Sequence, residues 1–248
     1  MSAYASEVAR VLESGIEPLT LEYEVVKSFS GEKKILRTGL CINSLDLGVL
    51  TPVQYRFVAR RSMQGAALVV RQVKKLLAVI PALKKINKGV YLFTIPAYAR
   101  IVKNGTLYQI LSDALLCNQS VSPDSIGVEL SSDVLYEEPD QILPKLEQLA
   151  QLGVKLVLCE LGDEFCPVMR LAQMRFDLAF LDATSANKIG DEGHDVMLGA
   201  LIQMLHAAGV GVYACGLEER PLQEIEAVGC DGYSFSQTFT TASEEVSV

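Results

Sequence analysis

Several features that mark common classes of functional site are missing from this sequence. It has no tryptophan and only two histidines, and none of its six cysteines form a C-x-x-C pair, the spacing that is typical of zinc and redox sites. We therefore expect free, reduced thiols, as in an intracellular protein. Neither G-x-G-x-x-G nor a P-loop sequence occurs, so the usual nucleotide fingerprints of open α/β sheets are absent.

Long apolar runs and excess positive charge are also missing. No stretch reaches the ~18 uninterrupted apolar residues of a membrane span, and residues 1–15 carry acids and lack the apolar run of a signal peptide. The net charge of −8 and the pI of about 4.9 argue against an electrostatic attraction to nucleic acid or to anionic membranes. We expect a cytoplasmic protein that binds neither nucleic acid nor membranes. The charge does not exclude a protein partner or a small phosphate ligand.

Strand-like and helix-like segments alternate along the chain, which predicts a mostly parallel sheet with helical crossovers. The eight predicted strands are 19–26, 35–42, 90–95, 126–130, 154–161, 178–182, 210–215 and 232–235. The longer predicted helices are 65–85 with an interruption at Pro81, 97–116 with a weak point at Asn104, 139–153, 195–208 and 221–228. Eight strands fit a closed barrel in one domain, and a turn at Gly31 makes the first two strands a hairpin. An open doubly wound sheet is the alternative.

In such a barrel the functional side chains come from the C-terminal ends of the strands. Five motifs at or near those ends are VELSSD, LGVKLVLCELG, FDLAFLD, GVYACGLEE and AVGCDGYSF. In order and spacing they resemble the EAL-domain family, bacterial phosphodiesterases that hydrolyse the second messenger cyclic di-GMP. The resemblance covers roughly residues 19–240. It implies a TIM-like (β/α)8 barrel of EAL type, with residues 1–248 as a single domain.

The resemblance also implies where the family's functional residues fall. The tripeptide E-A-L falls on residues 38–40, the acidic pair D-D falls on Cys159 and Glu160, and the catalytic lysine becomes Phe180. Acids are kept at Glu129, Glu160, Asp182 and Glu218. Positions that carry another residue type in place of a ligand, an acid or the lysine are Thr38, Thr94, Ser132, Cys159, Phe180 and Cys215.

These replacements argue against catalysis. The family's reaction needs two divalent cations, Mg²⁺ or Mn²⁺, and such ions prefer carboxylate and amide oxygens to thiols and hydroxyls. We therefore expect a vestigial site without catalytic residues, metal or cofactor. One cavity should still bring together two acids and two thiols, namely Glu129, Glu160, Cys159 and Cys215. A zinc site made of these four side chains is a further, less favoured alternative.

Three functional hypotheses follow from the resemblance. The first is a catalytically inactive regulatory module that acts through contact with an unidentified protein partner. The second is a receptor that binds cyclic di-GMP without cutting it, and the third is a working phosphodiesterase that holds Mg²⁺ or Mn²⁺ with unusual ligands. A homodimer is expected by analogy only, with Met169, Met174 and Phe176 as an exposed contact surface. The alternative is that these three residues pack onto the barrel.

Some of these residues also have simpler interpretations. Asp182 could serve to cap a neighbouring loop, and Glu218 could serve only to begin a helix. The adjacent pair Arg60 and Arg61 is expected on a solvated face.

Overall fold

The structure is a computed structural model that describes residues 3–14, 18–61, 64–162, 167–235 and 240–241. Its strands are β1 (Leu19–Ser28), β2 (Lys34–Ser44), β3 (Gly48–Leu50), β4 (Val90–Ala97), β5 (Ile126–Leu130), β6 (Lys155–Leu161), β7 (Leu178–Leu181), β8 (Gly211–Leu217), β9 (Gly232–Phe235) and β10 (Thr240–Thr241). Its α-helices are α1 (Ala3–Ser14), α2 (Pro52–Arg61), α3 (Gln64–Ile86), α4 (Ala99–Lys103), α5 (Thr106–Cys117), α6 (Pro139–Gln151), α7 (Val168–Leu171), α8 (Ala183–Ala186), α9 (Glu192–Ala207) and α10 (Leu222–Ala227).

Eight of the strands close into a barrel. The order around the ring is β1, β9, β8, β7, β6, β5, β4 and β2, and β2 pairs again with β1. Strand β1 is antiparallel to both of its neighbours in the ring, whereas the other neighbouring pairs are parallel. The predicted barrel and its opening hairpin are confirmed, and the alternative of an open sheet is wrong. The short strands β3 and β10 extend the sheet beside β2 and β1.

The core has two parts, as the barrel requires. The larger part lies between the strands and the surrounding helices. In α6, for example, Ile142, Leu146 and Leu149 are buried at the spacing of one helix face. The smaller part contains Ile35, Leu92, Val157 and Phe180. With large side chains on both faces of its strands, the barrel is a packed core beneath an open mouth.

Several boundaries differ from the sequence-based predictions. Helix α3 continues through Pro81, so the predicted interruption is wrong; Leu77, Ile80 and Leu83 are buried on either side of the exposed proline and hold the helix together. The break between α4 and α5 falls at Asn104 and Gly105, where it was predicted.

The surface predicted around α7 is wrong in part. Met169 is exposed, but Met174 and Phe176 are buried in the core. Helix α1 had not been predicted; it packs against α2 and α3 through the buried residues Val8, Val11 and Leu12. Within the described part of the chain, no helix combines the length and the apolar character needed to cross a membrane.

Glycine is required where β4 begins beside the hairpin. Gly89 has φ +85°, and a Cβ built there would lie 2.0 Å from the Glu32 carbonyl oxygen. Gly209 provides a matched control, since it has φ +78° and no atom within 4 Å of a built Cβ. We expect Gly209→Ala to lose about 1–2 kcal/mol of unfolding free energy from its left-handed backbone. Gly89→Ala should lose a further ~1–3 kcal/mol from overpacking.

Urea denaturation of the two variants and the parent protein measures this difference. Equal losses for Gly89→Ala and Gly209→Ala would contradict the close approach of Gly89 to the hairpin.

Candidate functional site

The C-terminal ends of the parallel strands surround a cavity of about 410 Å³. Its wall includes Glu129 at the end of β5, Cys159 and Glu160 at the end of β6, and Phe180 at the end of β7. Cys215 of β8 contributes the next part of the wall. The structure thus brings several, but not all, of the residues predicted at strand ends together around one mouth.

An arginine occupies the centre of this cavity. Arg37 of β2 donates from Nε to Oε1 of Glu129 at 3.0 Å and from Nη2 to Oε2 of Glu129 at 2.9 Å. Its Nη1 donates to Oε2 of Glu24, on β1, at 2.9 Å. The ring of Phe180 lies under the guanidinium, 4.6 Å from its central carbon, in the geometry of a cation–π contact. One guanidinium therefore joins two carboxylates and an aromatic ring.

The acceptor atoms of Glu129 are fully engaged. Besides Arg37, its Oε1 accepts a hydrogen bond from Oγ1 of Thr94, and its Oε2 accepts one from Sγ of Cys159 at 3.3 Å. The other carboxylate of the group, Glu24, accepts a hydrogen bond from Oγ of Ser234. Because each oxygen of Glu129 already has two donors, little acceptor capacity is left for a metal ion.

The charges of this group are mutually stabilised. Burial raises the pKa of Glu129, but the charge and hydrogen bonds of Arg37 outweigh burial and hold that pKa below its ordinary value of 4.5. Burial lowers the pKa of Arg37, and the two carboxylates raise it well above its ordinary value. Both groups are therefore ionised at neutral pH, as a bidentate ion pair requires.

The two cavity thiols are neutral. Burial, followed by the charge of Glu129, raises the pKa of Cys159 well above its ordinary value. Burial raises the pKa of Cys215 to about 12. Since the thiolate is the form that binds metals and attacks electrophiles, neither cysteine is suited to either task at neutral pH.

Two further arginines hold Glu160. Its Oε1 accepts from Arg60 Nη2 at 2.6 Å and from Arg56 Nη1 at 3.2 Å, and its Oε2 accepts from Ser132 Oγ at 3.3 Å. Both arginines lie on α2. The expectation that Arg60 lies on a solvated face is wrong, because its side chain is only 28% exposed and lines the cavity.

The backbone of Glu160 has an uncommon conformation. Its φ is +60°, in the left-handed region that costs most residues other than glycine about 1–3 kcal/mol. The pairing of β6 with β7 shifts register between Leu158 and Leu161, so Glu160 sits in an irregular stretch of strand. The hydrogen bonds to Arg56, Arg60 and Ser132 offset this cost.

The other residues singled out from the sequence lie around or behind this cavity. Thr38 borders it, but its hydroxyl donates to the Thr94 carbonyl oxygen at 2.6 Å and accepts from Nε2 of Gln72, on α3, at 2.8 Å. Asp182 begins α8 and accepts from the Thr184 amide at 2.8 Å. Glu218 is exposed and does not line the cavity.

Sequence reasoning missed Arg37, Glu24 and Arg56. A signal was present for Arg37, because a charged residue in the apolar run 35–42 of a buried strand needs a buried partner. Its partners come from strands that are distant in sequence, and the sequence pattern does not identify them. Sequence reasoning also missed the assignment of Arg56 and Arg60 to Glu160, for the same reason.

The residues present do not fit the two divalent cations that the resemblance implies. Glu129 is saturated by Arg37, Thr94 and Cys159, and Glu160 is held by two arginines. Across the described ranges, no group of three or more histidine, cysteine, aspartate or glutamate side chains is arranged to hold a metal ion. The guanidinium of Arg37, bound to both Glu24 and Glu129, would also repel an added cation.

Comparisons with known proteins agree with the fold. The family model for the EAL domain matches residues 43–236, a range that begins beyond the segment 38–40. No curated protein matches the chain. Among solved structures, the EAL enzyme Bd1971 in its cAMP- and cyclic-di-GMP-bound form superposes with a TM-score of 0.81 at 17% identity, over 95% of this chain and 65% of that one. This chain thus spans about two thirds of the length of Bd1971.

Two further matches extend over almost the whole chain of the solved structure. The PaMucR phosphodiesterase in complex with c-di-GMP matches with a TM-score of 0.77 at 16% identity, over 90% of this chain and 97% of that one. The FimX EAL domain from Pseudomonas aeruginosa, bound to c-di-GMP, matches with a TM-score of 0.74 at 15% identity, over 94% of each chain. At these identities the likeness shows the fold alone.

The buried ion group can be tested by removing its cation. Arg37→Met leaves Glu24 and Glu129 facing each other without a counter-charge, and we expect it to lose about 3–5 kcal/mol of unfolding free energy at neutral pH. The triple variant Arg37→Met, Glu24→Gln, Glu129→Gln is the matched control and should recover much of that loss, since no buried charge is left unpaired.

The pH dependence supplies a second readout. In the parent protein the lowered pKa of Glu129 stabilises the fold above the pKa of the unfolded state, and this stabilisation is lost as pH falls through the folded-state pKa. In Arg37→Met only the hydrogen bonds from Thr94 and Cys159 still oppose the effect of burial, so the pKa of Glu129 rises and acid relieves the repulsion. The gap between parent and variant, measured by urea denaturation, should therefore shrink from pH 7 to pH 5. A loss below about 1 kcal/mol, or a gap independent of pH, would contradict the assignment.

Proposed function

The chain belongs to the EAL domain family, and we propose that it is a catalytically inactive member, a regulatory module of bacterial cyclic di-GMP signalling that works through contact with a protein partner. The observation that supports this most directly is the Glu24–Arg37–Glu129 group. It places a fixed cation of the protein against Glu129, an acid that a metal-dependent hydrolase of this family would need for its ions.

The reaction also lacks a base. Hydrolysis of a phosphodiester needs an activated water, and without a metal a side chain must accept the proton. Glu129 is a poor acceptor because Arg37 lowers its pKa and its oxygens are fully hydrogen-bonded. Glu160 is held by two guanidiniums. Phe180 stands where the resemblance implies the lysine, and a phenyl ring neither donates nor accepts a proton.

A receptor for cyclic di-GMP is the second candidate. Its specific support is the rim of the cavity, where Arg56 and Arg60 share one carboxylate, Glu160, so the rim has cationic capacity for a phosphate group. Two solved structures of the same fold, those of the PaMucR phosphodiesterase and the FimX EAL domain, were determined with c-di-GMP. We propose the protein-contact role first, because a phosphate would have to compete with Glu160 for both arginines.

The remaining parts of the proposal concern location and assembly. We propose a cytoplasmic protein that binds neither nucleic acid nor membranes, consistent with its net charge of −8.

We also propose a homodimer through α9. Val196 and Met197 are 68% and 72% exposed, and Met204, about two turns further along the helix, is 39% exposed, so this helix has an apolar side that the chain itself does not cover.

Catalysis can be tested with purified protein and cyclic di-GMP in millimolar Mg²⁺ or Mn²⁺. We expect no formation of the linear dinucleotide, because the cavity offers neither a cation site nor a base. The same metals should raise Tm by less than about 2 °C, whereas an ion at 100 times its Kd would add about 2.7 kcal/mol of stability and several degrees.

Metal-stimulated cleavage that disappears in Glu129→Ala would show that the chain is an active hydrolase. Calorimetry with cyclic di-GMP separates the other two candidates. Binding without cleavage, weakened by Arg56→Gln, would favour the receptor.

The homodimer can be tested by light scattering at tens of micromolar. We expect a mass near twice 27.0 kDa for the parent protein and the monomer mass for Met197→Glu, because a buried carboxylate without a partner opposes association. Leu45→Glu is the matched control, since Leu45 is also exposed but lies between β2 and β3 rather than on α9. A monomeric parent protein would rule out this pairing.

A further inference from the structure

We propose that the exposed side of α2 is the docking surface for the protein partner, and that the partner segment which binds there is acidic and carries bulky apolar side chains. Five residues form this α2 surface: Val53, Arg56, Phe57, Arg60 and Arg61. This inference rests on the proposed protein-contact function and adds the location of the contact and the chemistry of the partner.

The α2 surface is apolar to an unusual degree for the outside of a protein. Val53 is 66% and Phe57 is 57% exposed, and with a spacing of four residues they lie on the same side of the helix. The opposite side is anchored by Tyr55 and Ala59, which are buried. An exposed aromatic beside an exposed aliphatic residue is the usual centre of a protein-binding site.

The hairpin that leads into α2 continues this character. Leu45 is 96% and Val49 is 55% exposed, and the chain passes from β3 directly into α2. Four large exposed hydrophobic residues therefore fall within the single segment 45–57. Exposed apolar residues are thus concentrated in this part of the sequence, and Val53 and Phe57 are also neighbours on the surface of α2.

The charge of the α2 surface is opposite to that of the whole chain. The helix has three arginines and no acid, in a protein with a net charge of −8. Arg56 and Arg60 share the single carboxylate of Glu160. Asp133 is a second acid near Arg60: burial raises the pKa of Asp133, and the charge of Arg60 lowers it.

Arg61 is the most available of the three arginines. Its guanidinium lies 4.2 Å from the centre of the Phe57 ring, and among the described residues no carboxylate lies within ion-pair distance of it. Arg100 adds another cation nearby, since its Nη1 donates to the Arg61 carbonyl oxygen at 3.2 Å. A guanidinium stacked on an exposed aromatic ring is prepared to bind a carboxylate while the ring packs against an apolar side chain.

Charge complementarity selects the partner. An acidic segment is attracted to the local excess of arginines, whereas nucleic acid and anionic membranes are repelled by the acidic remainder of the protein. Val53, Arg56 and Arg60 also line the cavity, so a segment docked on α2 would lie at its rim. The partner would therefore contact the same arginines that hold Glu160.

The test is a selection of short random displayed peptides on the purified chain of 248 residues. We expect the enriched peptides to combine aspartate or glutamate with leucine, phenylalanine or tryptophan, and to bind less tightly as salt is raised. Phe57→Ala and Arg61→Glu should each weaken the binding of a selected peptide by about tenfold or more in fluorescence anisotropy.

Matched controls use the same chemical changes elsewhere. Leu116→Ala truncates an exposed apolar residue of α5, and Lys85→Glu reverses an exposed charge at the end of α3; both should leave peptide binding unchanged. All four substitutions alter exposed side chains and should shift Tm little, which circular dichroism verifies for each variant.

The inference is overturned if no peptide is enriched, if the enriched peptides are not acidic, or if the two α2 variants bind as tightly as the parent. Equal binding to duplex DNA or to vesicles of anionic lipid would also overturn it, because the surface would then be a general anion binder. The cleavage assay distinguishes a failure of this inference from a failure of the proposed function. An inactive protein without peptide binding contradicts the docking surface alone, and a protein that cleaves cyclic di-GMP contradicts the proposed function.

Discussion

The mouth of this barrel is organised by one half-buried guanidinium. Arg37 comes from β2, its carboxylate partners Glu24 and Glu129 come from β1 and β5, and the ring beneath it, Phe180, comes from β7. Two buried carboxylates without the cation would repel each other and would favour protonation. With it, four strands of the ring are joined at the level of the cavity by charge-assisted hydrogen bonds and a ring contact. The geometry of the site depends on this ion group.

The same group explains why an acid at a family position does not imply a metal. Glu129 and Glu160 are two of the acids that the sequence places at strand ends around the cavity, and each accepts hydrogen bonds from arginine. A metal ion and a guanidinium both neutralise a carboxylate, but only the metal binds and activates water. The electrostatic requirement of the buried acids is satisfied here without the chemistry that a metal would provide.

Most of the fold could be predicted from the sequence, because alternation of strands and helices and the turn at Gly31 are local signals. The position of each side chain around the mouth was harder to predict. Adjacent residues of a strand point to opposite sides, so Arg37 faces the cavity while the hydroxyl of its neighbour Thr38 is bonded to Gln72 of α3. Helix α3 continues through Pro81 and Phe176 is buried, because tertiary packing overrides the local preferences of the sequence at both positions.

The ion group also bears on how such a chain can change over evolutionary time. Replacing Arg37 by an acid would place three carboxylates in one buried site, and replacing Glu24 or Glu129 first would leave the guanidinium with an incomplete set of partners. Either single step lowers stability before any ion can compensate, and proteins of ordinary stability tolerate only small losses. Building a metal centre in this cavity would therefore require several coordinated substitutions, since no single replacement within the ion group keeps all of its charges paired.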